Sequence, residues 1–233
     1  MKLGLCILPL LAVLVRGDFL DDFESYSPGQ DPDTSFDWVR EPFGGHVLVT
    51  PQGDNQVVQA FFPDSAHIAY LCAGAGFWEN GSVSMDFSPA GNGSFVNVFS
   101  RMQIITGEAY VGGVVMTLQP FTFSYIGYIS VTGDYELLHY GYGPSVPPGA
   151  WVNVELQTEG TGPVTLTLLT NGQQAAQVTD SQYNLGMGLS GFALLYEIEA
   201  PTIFADNFQV ILSPQSLTPA TFGAIKALFM EIQ

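Results

Sequence analysis

Glu24 lies in a short apolar and aromatic stretch near one end of the chain, Asp18-Phe19-Leu20-Asp21-Asp22-Phe23-Glu24-Ser25-Tyr26. Asp206 lies in a similar stretch near the other end, Thr202-Ile203-Phe204-Ala205-Asp206-Asn207-Phe208-Gln209-Val210. If the two stretches run side by side as strands, the two carboxylates meet from opposite ends of the sequence. Unneutralised they would repel. A Ca²⁺ ion, which takes about six to eight oxygens from carboxylates, carbonyls and water, would relieve that repulsion. The plainer alternative is that both are solvated edge residues or accept backbone hydrogen bonds. Asp31 and Asp33 form a weaker pair, expected in a solvated loop. His46, His67 and His139 are isolated, so no zinc spacing appears.

Arg101 poses a different question. In Asn97-Val98-Phe99-Ser100-Arg101-Met102-Gln103, strand alternation puts Asn97, Phe99, Arg101 and Gln103 on one face and Val98, Ser100 and Met102 on the other. A polar face bearing a guanidinium suits a polar ligand; equally, the Arg can serve to neutralise nearby acids. Trp78 and Tyr128 are the aromatics expected to offer stacking surfaces to a sugar. Phe121, Phe123 and Tyr125 share the face opposite Tyr128 and read as core. Glu197 and Glu199, two apart, would share a strand face with Cα atoms roughly 6.5–7 Å apart, and glycoside hydrolysis uses a carboxyl pair. Pro201 marks a strand ending there, not a central strand. No Gly-x-Ser-x-Gly elbow, phosphate loop or His-Glu-x-x-His helix occurs. No catalytic residue is assigned.

The elements that must position these groups are strands. Short alternating or continuous apolar runs recur between Gly, Pro, Asn and Asp, in a chain with 26 Gly, 15 Pro and 17 Phe. The pattern predicts strands over 19–26, 36–40, 46–50, 55–61, 67–71, 81–87 and 95–104. It continues with 109–118, 121–131, 136–140, 151–157, 163–170, 173–179, 188–197 and 202–212. Asn171-Gly172 has the signature of a two-residue hairpin turn. Cys72 reads as a buried small apolar residue without a disulfide mate. Asn80-Gly81-Ser82 and Asn92-Gly93-Ser94 match the glycosylation acceptor pattern, which matters only in a glycosylating host.

Residues 1–17 read as a secretory signal: Lys2, an apolar run over 3–15, then Val15-Arg16-Gly17 with small residues at −3 and −1. The expectation is an exported, extracellular protein. Without Lys2 and Arg16, the cations are Arg40, Arg101 and Lys226 against 22 acids. Such a surface excludes nucleic acid and anionic lipid and favours divalent cations. A domain over 18–212 is followed over 213–233 by a linker and tail, in which Phe222, Ile225, Leu228 and Phe229 have helical spacing. The stretch 221–229 resembles a short aromatic ending on some secreted bacterial proteins.

Several local patterns then point one way. They are Asp22-Phe23-Glu24-x-Tyr26, Trp38, Gly76-Phe77-Trp78-x-x-Gly81-Ser82-Val83-Ser84-Met85-Asp86, and Val98-Phe99-Ser100-Arg101 with Tyr110 downstream. Trp151-Val152-Asn153-Val154-Glu155-Leu156, Asn171-Gly172, Gly186-x-Gly188-x-x-Gly191-Phe192 and 204–210 follow. The chain resembles the concanavalin A-like lectin/glucanase jelly rolls, including laminin G-like domains of secreted proteins. The resemblance implies an all-β sandwich of two antiparallel sheets, one concave, and a module that binds or cleaves polysaccharide or binds a protein partner. It also implies a structural Ca²⁺ near the terminal strands, best matched by Glu24 and Asp206, with carbonyls near Gly44-Gly45. On the concave side Arg is common, which fits Arg101 and Gln103 as ligand contacts beside Tyr128 and Trp78. The glucanases' Glu-x-Asp-x-x-Glu is not matched by Glu197-Ile198-Glu199. The leading expectation is a secreted, non-catalytic module for a glycan or cell-surface partner. A glycan-active enzyme, or a surface protein assembled through its tail, are the alternatives.

Overall fold

The alternating runs become strands almost where the pattern puts them. A computed structural model of the chain describes residues 18–35, 37–39, 45–62, 68–89, 94–103, 105–115, 122–143, 147, 149–196 and 202–213. The export signal, Phe121, Glu197, Glu199, Asn92 and the tail beyond 213 lie outside these residues. In order the strands are β1 (Phe19–Asp21), β2 (Trp38–Val39), β3 (His46–Gln52), β4 (Asn55–Phe61), β5 (Ile68–Trp78) and β6 (Gly81–Pro89). Then come β7 (Ser94–Met102), β8 (Ala109–Val115), β9 (Thr122–Ile129), β10 (Tyr135–Gly143) and β11 (Val152–Glu159). The last are β12 (Val164–Thr170), β13 (Gln173–Asp180), β14 (Gly188–Tyr196) and β15 (Ile203–Leu212).

They form two antiparallel sheets. Sheet I runs β13-β12-β11-β6-β15-β4-β3 with β1 also on β15, and sheet II runs β10-β9-β8-β7-β14-β5-β2. The terminal stretches do pair, with Phe19 opposite Val210 and Asp21 opposite Phe208. β14 and β15 lie inside their sheets: β14 between β7 and β5, β15 between β6 and β4. The Asn171-Gly172 hairpin has φ +50° and +72°, the left-handed pair such a turn demands.

The first strand is shorter than the 19–26 pattern predicts. The Asp21 carboxylate accepts Phe23 N–H (2.8 Å), and Tyr26 N–H bonds back to the Phe23 carbonyl (3.3 Å). Phe23 consequently sits at φ +58°, a conformation uncommon for a bulky residue. The turn sends its ring inward, where it stacks on Trp38 (5.9 Å between centroids, 24°). Trp38 in turn meets Phe208 at 5.0 Å and Phe192 at 5.7 Å, and its indole N–H donates to Asp21 (2.7 Å). Asp21 thereby ties the turn to the core.

Between the sheets, Val83, Met85 and Phe87 of β6 and Leu156 of β11 pack in one apolar cluster with Leu71, Val98, Tyr110, Ile126 and Phe192 of sheet II. Ser100 and Thr158 hydrogen bond across the layers at 2.8 Å. The approach is close at Gly112, where a Cβ would lie 2.8 Å from Leu168.

The outward faces of the two sheets differ. Sheet I turns out a polar ladder in which Asn153 donates to Asp86 (2.8 Å), Gln157 to Glu155 (3.0 Å) and Gln177 to Thr167 (2.9 Å). Sheet II has a second apolar cluster of its own, built from Cys72, Phe99, Ala109, Val111, Tyr125, Leu189 and Ala193, with Phe95, Met102 and Phe123 beside them. A sheet with one face on the core ordinarily turns polar residues outward. Sheet II does not.

Candidate functional site

The outward face of sheet II carries the arrangement with most capacity for recognition. Tyr125 of β9 lies across Gly113 of β8, where any Cβ would overlap its ring and the Asn97 amide. Its hydroxyl donates to Asn97 Oδ1. Among the described residues nothing accepts from the Asn97 amide nitrogen, so its donors point outward unspent. Tyr135 covers Gly127 in the same way and meets Tyr125 edge-on (5.8 Å, 89°). Phe123 is stacked by Tyr140 (5.3 Å, 23°) and approached edge-on by Tyr142 (6.1 Å, 77°). Register explains the grouping, since Tyr140 pairs with Tyr125 and Tyr142 with Phe123 across β10 and β9. Tyr135, Tyr140 and Tyr142 are 47%, 53% and 70% exposed. Their rings form an exposed strip along β10, whereas Phe99, Val111, Tyr125, Leu189 and Ala193 of the same cluster are 6% exposed or less; exposed aromatics with hydroxyls at their edge suit ligands having both apolar faces and polar rims.

The residues singled out by sequence sit elsewhere. Arg101 is 1% exposed. Its φ is +54°, which breaks the alternation assumed across 97–103 and turns the side chain toward the loops at the end of the sandwich. There Nε donates to Glu79 O (2.7 Å), one terminal nitrogen to Leu185 O (2.6 Å), and the other to Gly160 O (2.5 Å) and Asn80 Oδ1 (3.3 Å). Burial lowers its pKa, partly offset by Glu79, and carbonyl dipoles hold the cation. Gln103 donates to Arg101 O (2.8 Å) and Met187 O (3.2 Å), fastening the same loop. Trp78 and Tyr128 are each 5% exposed and belong to the core cluster. The recess beside Trp78 and Arg101 is too small for a sugar ring. The expectation for β9 is thus inverted: Tyr128 faces the core, and Phe123 and Tyr125, read as core, face out. Arg101 and Gln103 act here as clamps on loops.

Tyr128 also anchors a tyrosine–carboxylate group at the rim. It donates to Glu108 and stacks on Tyr183 (3.7 Å, 12°), which donates to Glu136. Nearby, Tyr110 donates to Asp180 (2.5 Å), which also accepts the N–H groups of Gln182 (2.8 Å), Tyr183 (3.2 Å) and Asn184 (3.1 Å). Burial alone would raise the Asp180 pKa. The four donors outweigh it and hold the carboxyl below its ordinary value. Because the folded value lies below the unfolded one, the stabilisation is complete above about pH 4 and lost as pH falls through the folded value. Asp180→Asn is therefore expected to lower the melting temperature near neutrality, with the gap from wild type closing below about pH 3.5. A gap that stays constant to acid pH would refute that role.

Glu24 and Asp206 do come near one another, with a third carboxylate that sequence reasoning missed. Asp206 is buried in β15, opposite Asp86 of β6. It accepts Asn55 Nδ2 (2.8 Å) and the Asn207 N–H (2.7 Å). Glu24 accepts the N–H of the next residue, Gln56 (2.8 Å), whose amide donates back to Glu24 O (3.0 Å). Burial first, then the charges of Asp86 and Glu24, push the Asp206 pKa up against those two hydrogen bonds. Gln56 Oε1 is buried with no hydrogen-bond partner. Carboxylate and amide oxygens are hard donors of the kind Ca²⁺ takes. Among the described residues no three His, Cys, Asp or Glu side chains form a metal group, so carbonyls and water would have to complete a shell. Asp86 was legible only through its register with Asp206, which no local pattern encodes. Asp31 accepts the Asp33 N–H (3.1 Å) at the Pro32–Thr34 turn and lies 3.6 Å from His46.

No family model matches the chain, and no curated protein matches it. Solved structures do. The carbohydrate-binding module CBM66 from Bacillus subtilis is 11% identical, with TM-score 0.54, covering 74% of this chain and 93% of that one. A Bacillus subtilis protein of unknown function with a galectin-like fold is 15% identical (TM-score 0.56; 79% and 93% covered). A Bacteroides ovatus mixed linkage glucan GH16 protein in complex with product is 11% identical (TM-score 0.58; 83% and 99% covered). At these identities the likeness establishes the fold: this chain is a concanavalin A-like jelly-roll sandwich.

Proposed function

We propose that the chain is a secreted, non-catalytic carbohydrate-binding module whose ligand face is the exposed β9–β10 edge of sheet II. The observation that carries this reading is the contrast between the two outward faces: polar ladders on sheet I, and the exposed rings of Tyr135, Tyr140 and Tyr142 beside Phe123 on sheet II. Sugar rings have apolar faces that stack on aromatics and hydroxyls that meet amide and phenol groups. The described outward positions of β7, β8, β9 and β14 are apolar, aromatic, glycine or asparagine. A two-carboxyl hydrolysis would have to draw its groups from outside them. The glucanase among the structural neighbours keeps a glycan-active enzyme as the second reading. Affinity electrophoresis through polysaccharide-loaded gels, with reducing-end release assayed on the same polymers, separates the two. Retardation without cleavage is expected; cleavage would install the enzyme reading, and neither would defeat both.

The proposal includes a Ca²⁺ ion steadying the terminal strands through Glu24 and Asp206. Its support is the crowding of Glu24, Asp86 and Asp206 and the unpartnered Gln56 oxygen. Restoring Ca²⁺ to chelator-treated protein is expected to raise the melting temperature by roughly 5–10 °C, the effect of about 2.7 kcal/mol of binding in a chain this size. Glu24→Gln should remove most of that rise. No shift on chelation, with no metal in the purified protein, removes the ion from the proposal. Export is proposed from the sequence of 1–17. The secreted form is then expected to begin at Asp18, and N-terminal sequencing that finds Met1 retained would overturn cleavage.

A further inference from the structure

Three tyrosines at the rim of the sandwich each donate a hydroxyl proton to a different carboxylate. Tyr110 donates to Asp180, Tyr128 to Glu108 and Tyr183 to Glu136. The rings run in series from the core outward: Tyr110 is buried, Tyr128 is buried, and Tyr183 is half-buried. Tyr110 and Tyr128 meet at 6.5 Å and 58°, whereas Tyr128 and Tyr183 lie face to face at 3.7 Å and 12°. The chain builds this stack deliberately from two directions. β9 turns Tyr128 toward the core, opposite Glu136 of β10. After β13, the Asp180 carboxylate accepts the N–H groups of Gln182, Tyr183 and Asn184, and Asn184 takes φ +48°, which fixes the turn that lays Tyr183 on Tyr128. Gln182 Nε2 donates to the Tyr183 hydroxyl (2.9 Å), so that oxygen is held from both sides. Two phenylalanines would fill the same space. Hydroxyls set against carboxylates add a chemistry that packing does not require. Burial and then the bond to Glu108 keep Tyr128 protonated, and the bond to Glu136 followed by burial pushes Tyr183 up to about 12. Glu108 is held below its ordinary value by Tyr128 and then Thr106, so it stands as a carboxylate able to take a proton at neutral pH.

We propose that Tyr128 and Tyr183 form an oxidative cross-linking site, joined carbon to carbon by hydrogen peroxide acting through a haem peroxidase. A phenol yields an electron readily near neutral pH when a hydrogen-bonded base takes its proton at the same moment, and each of these hydroxyls already has that base. Oxidation of Tyr183, the outer ring, passes its electron to the peroxidase and its proton to Glu136. Tyr128 follows through the stacked ring, with its proton going to Glu108. The two phenoxyl radicals are in contact and couple between ring carbons ortho to oxygen. The hydrogens on those two carbons then move to the oxygens and restore both phenols. Two electrons and two protons leave the pair in all, and they reduce one peroxide to two waters. The new bond closes a loop of about 55 residues. β9 belongs to sheet II and β13, which leads into Tyr183, to sheet I, so the bond staples the two layers at their rim. Tyr128 lies on the opposite side of β9 from Phe123 and Tyr125, and the inference stands apart from the glycan reading.

The test treats the full chain with hydrogen peroxide and a haem peroxidase, then takes the monomer for intact mass and peptide mapping. The expected monomer is lighter by two hydrogen atoms, fluoresces blue as a biphenol does, and yields a cross-linked peptide joining Tyr128 to Tyr183. Its melting temperature is expected to stand roughly 10 °C above that of untreated protein. Tyr183→Phe keeps the ring and loses the hydroxyl, and is expected to lose both the mass change and the rise. Cross-links only between molecules, a link within the monomer at any other tyrosine pair, or an unchanged monomer mass would each overturn the proposal. A Tyr183→Phe monomer that still loses two hydrogens overturns it as well. Glu136→Gln supplies the second measurement, because it retains a hydrogen-bonding partner for Tyr183 while removing the base. It is expected to slow cross-linking by about tenfold or more. A rate equal to that of wild type would overturn the proton transfer assigned to Glu136.

Discussion

Arg101→Met is expected to lower the stability of the folded chain by about 3–5 kcal/mol, seen as a fall in melting temperature on the order of 10 °C. The wild-type guanidinium joins four segments: Glu79 and Asn80 at the β5–β6 turn, Gly160 after β11, Leu185 before β14, and its own strand. A hydrogen bond from a charged donor contributes about 1.5–3 kcal/mol net, and removing the donor leaves carbonyls facing an apolar methionine. Arg101→Lys should recover less than half of the loss, since one ammonium cannot span acceptors arranged around a planar fork. A change below about 1 kcal/mol in urea unfolding would show that water replaces the guanidinium freely. The variant also discriminates between roles. Loss of glycan affinity in the remaining folded protein would return Arg101 to the ligand contacts expected from sequence; loss of stability alone leaves it a clamp.

Tyr140→Ala and Gly113→Val are together expected to remove glycan binding while sparing the fold. Tyr140 is 53% exposed and stacked on Phe123, so its truncation costs little packing and takes away one ring. An aromatic anchor of this kind is worth about 2 kcal/mol, roughly a thirtyfold loss of affinity. Gly113→Val acts from beneath. Its Cβ would overlap the Tyr125 ring and the Asn97 amide, so the ring is lifted and its hydrogen bond lost, while valine itself is well suited to a strand. The expectation is a loss greater than that of Tyr140→Ala, with the far-ultraviolet spectrum unchanged. Wild-type affinity in both variants would move the site off this sheet.

The strands were legible because each is a short alternating run punctuated by Gly, Pro or Asn, and the terminal pairing because two like segments open and close the pattern. Orientation was not legible in β9. Phe123-Ser124-Tyr125-Ile126-Gly127-Tyr128 carries aromatics at both parities, and an apolar cluster lies on each side of the sheet. Period-two alternation then identifies a strand without saying which face is inside. Arg101 was misplaced for another reason: a single residue at φ +54° flips everything after it, and Arg is not a residue whose type announces such a conformation. Asp86 was invisible because its partnership with Asp206 is a matter of register between distant strands. Glu24 and Asp206 were found because they sit in the two segments whose pairing was legible.

The inside positions of β14 and β15 bear on how the molecule can be made. Before Gly188 is synthesised, sheet II consists of two separate pieces, β2–β5 and β7 through β10, and before Ile203 sheet I likewise consists of β3–β4 and β6–β11–β12–β13. Neither half has its central neighbour, and Phe19 has no strand to lie on until Val210 exists. Closing loops of this length early yields no lasting contacts in return, so such a chain gains little by collapsing while it grows. The architecture therefore delays closure of both sheets until β14 and β15 have been made. A sandwich laced together by β14 and β15 keeps both of its sheets in halves until those strands arrive.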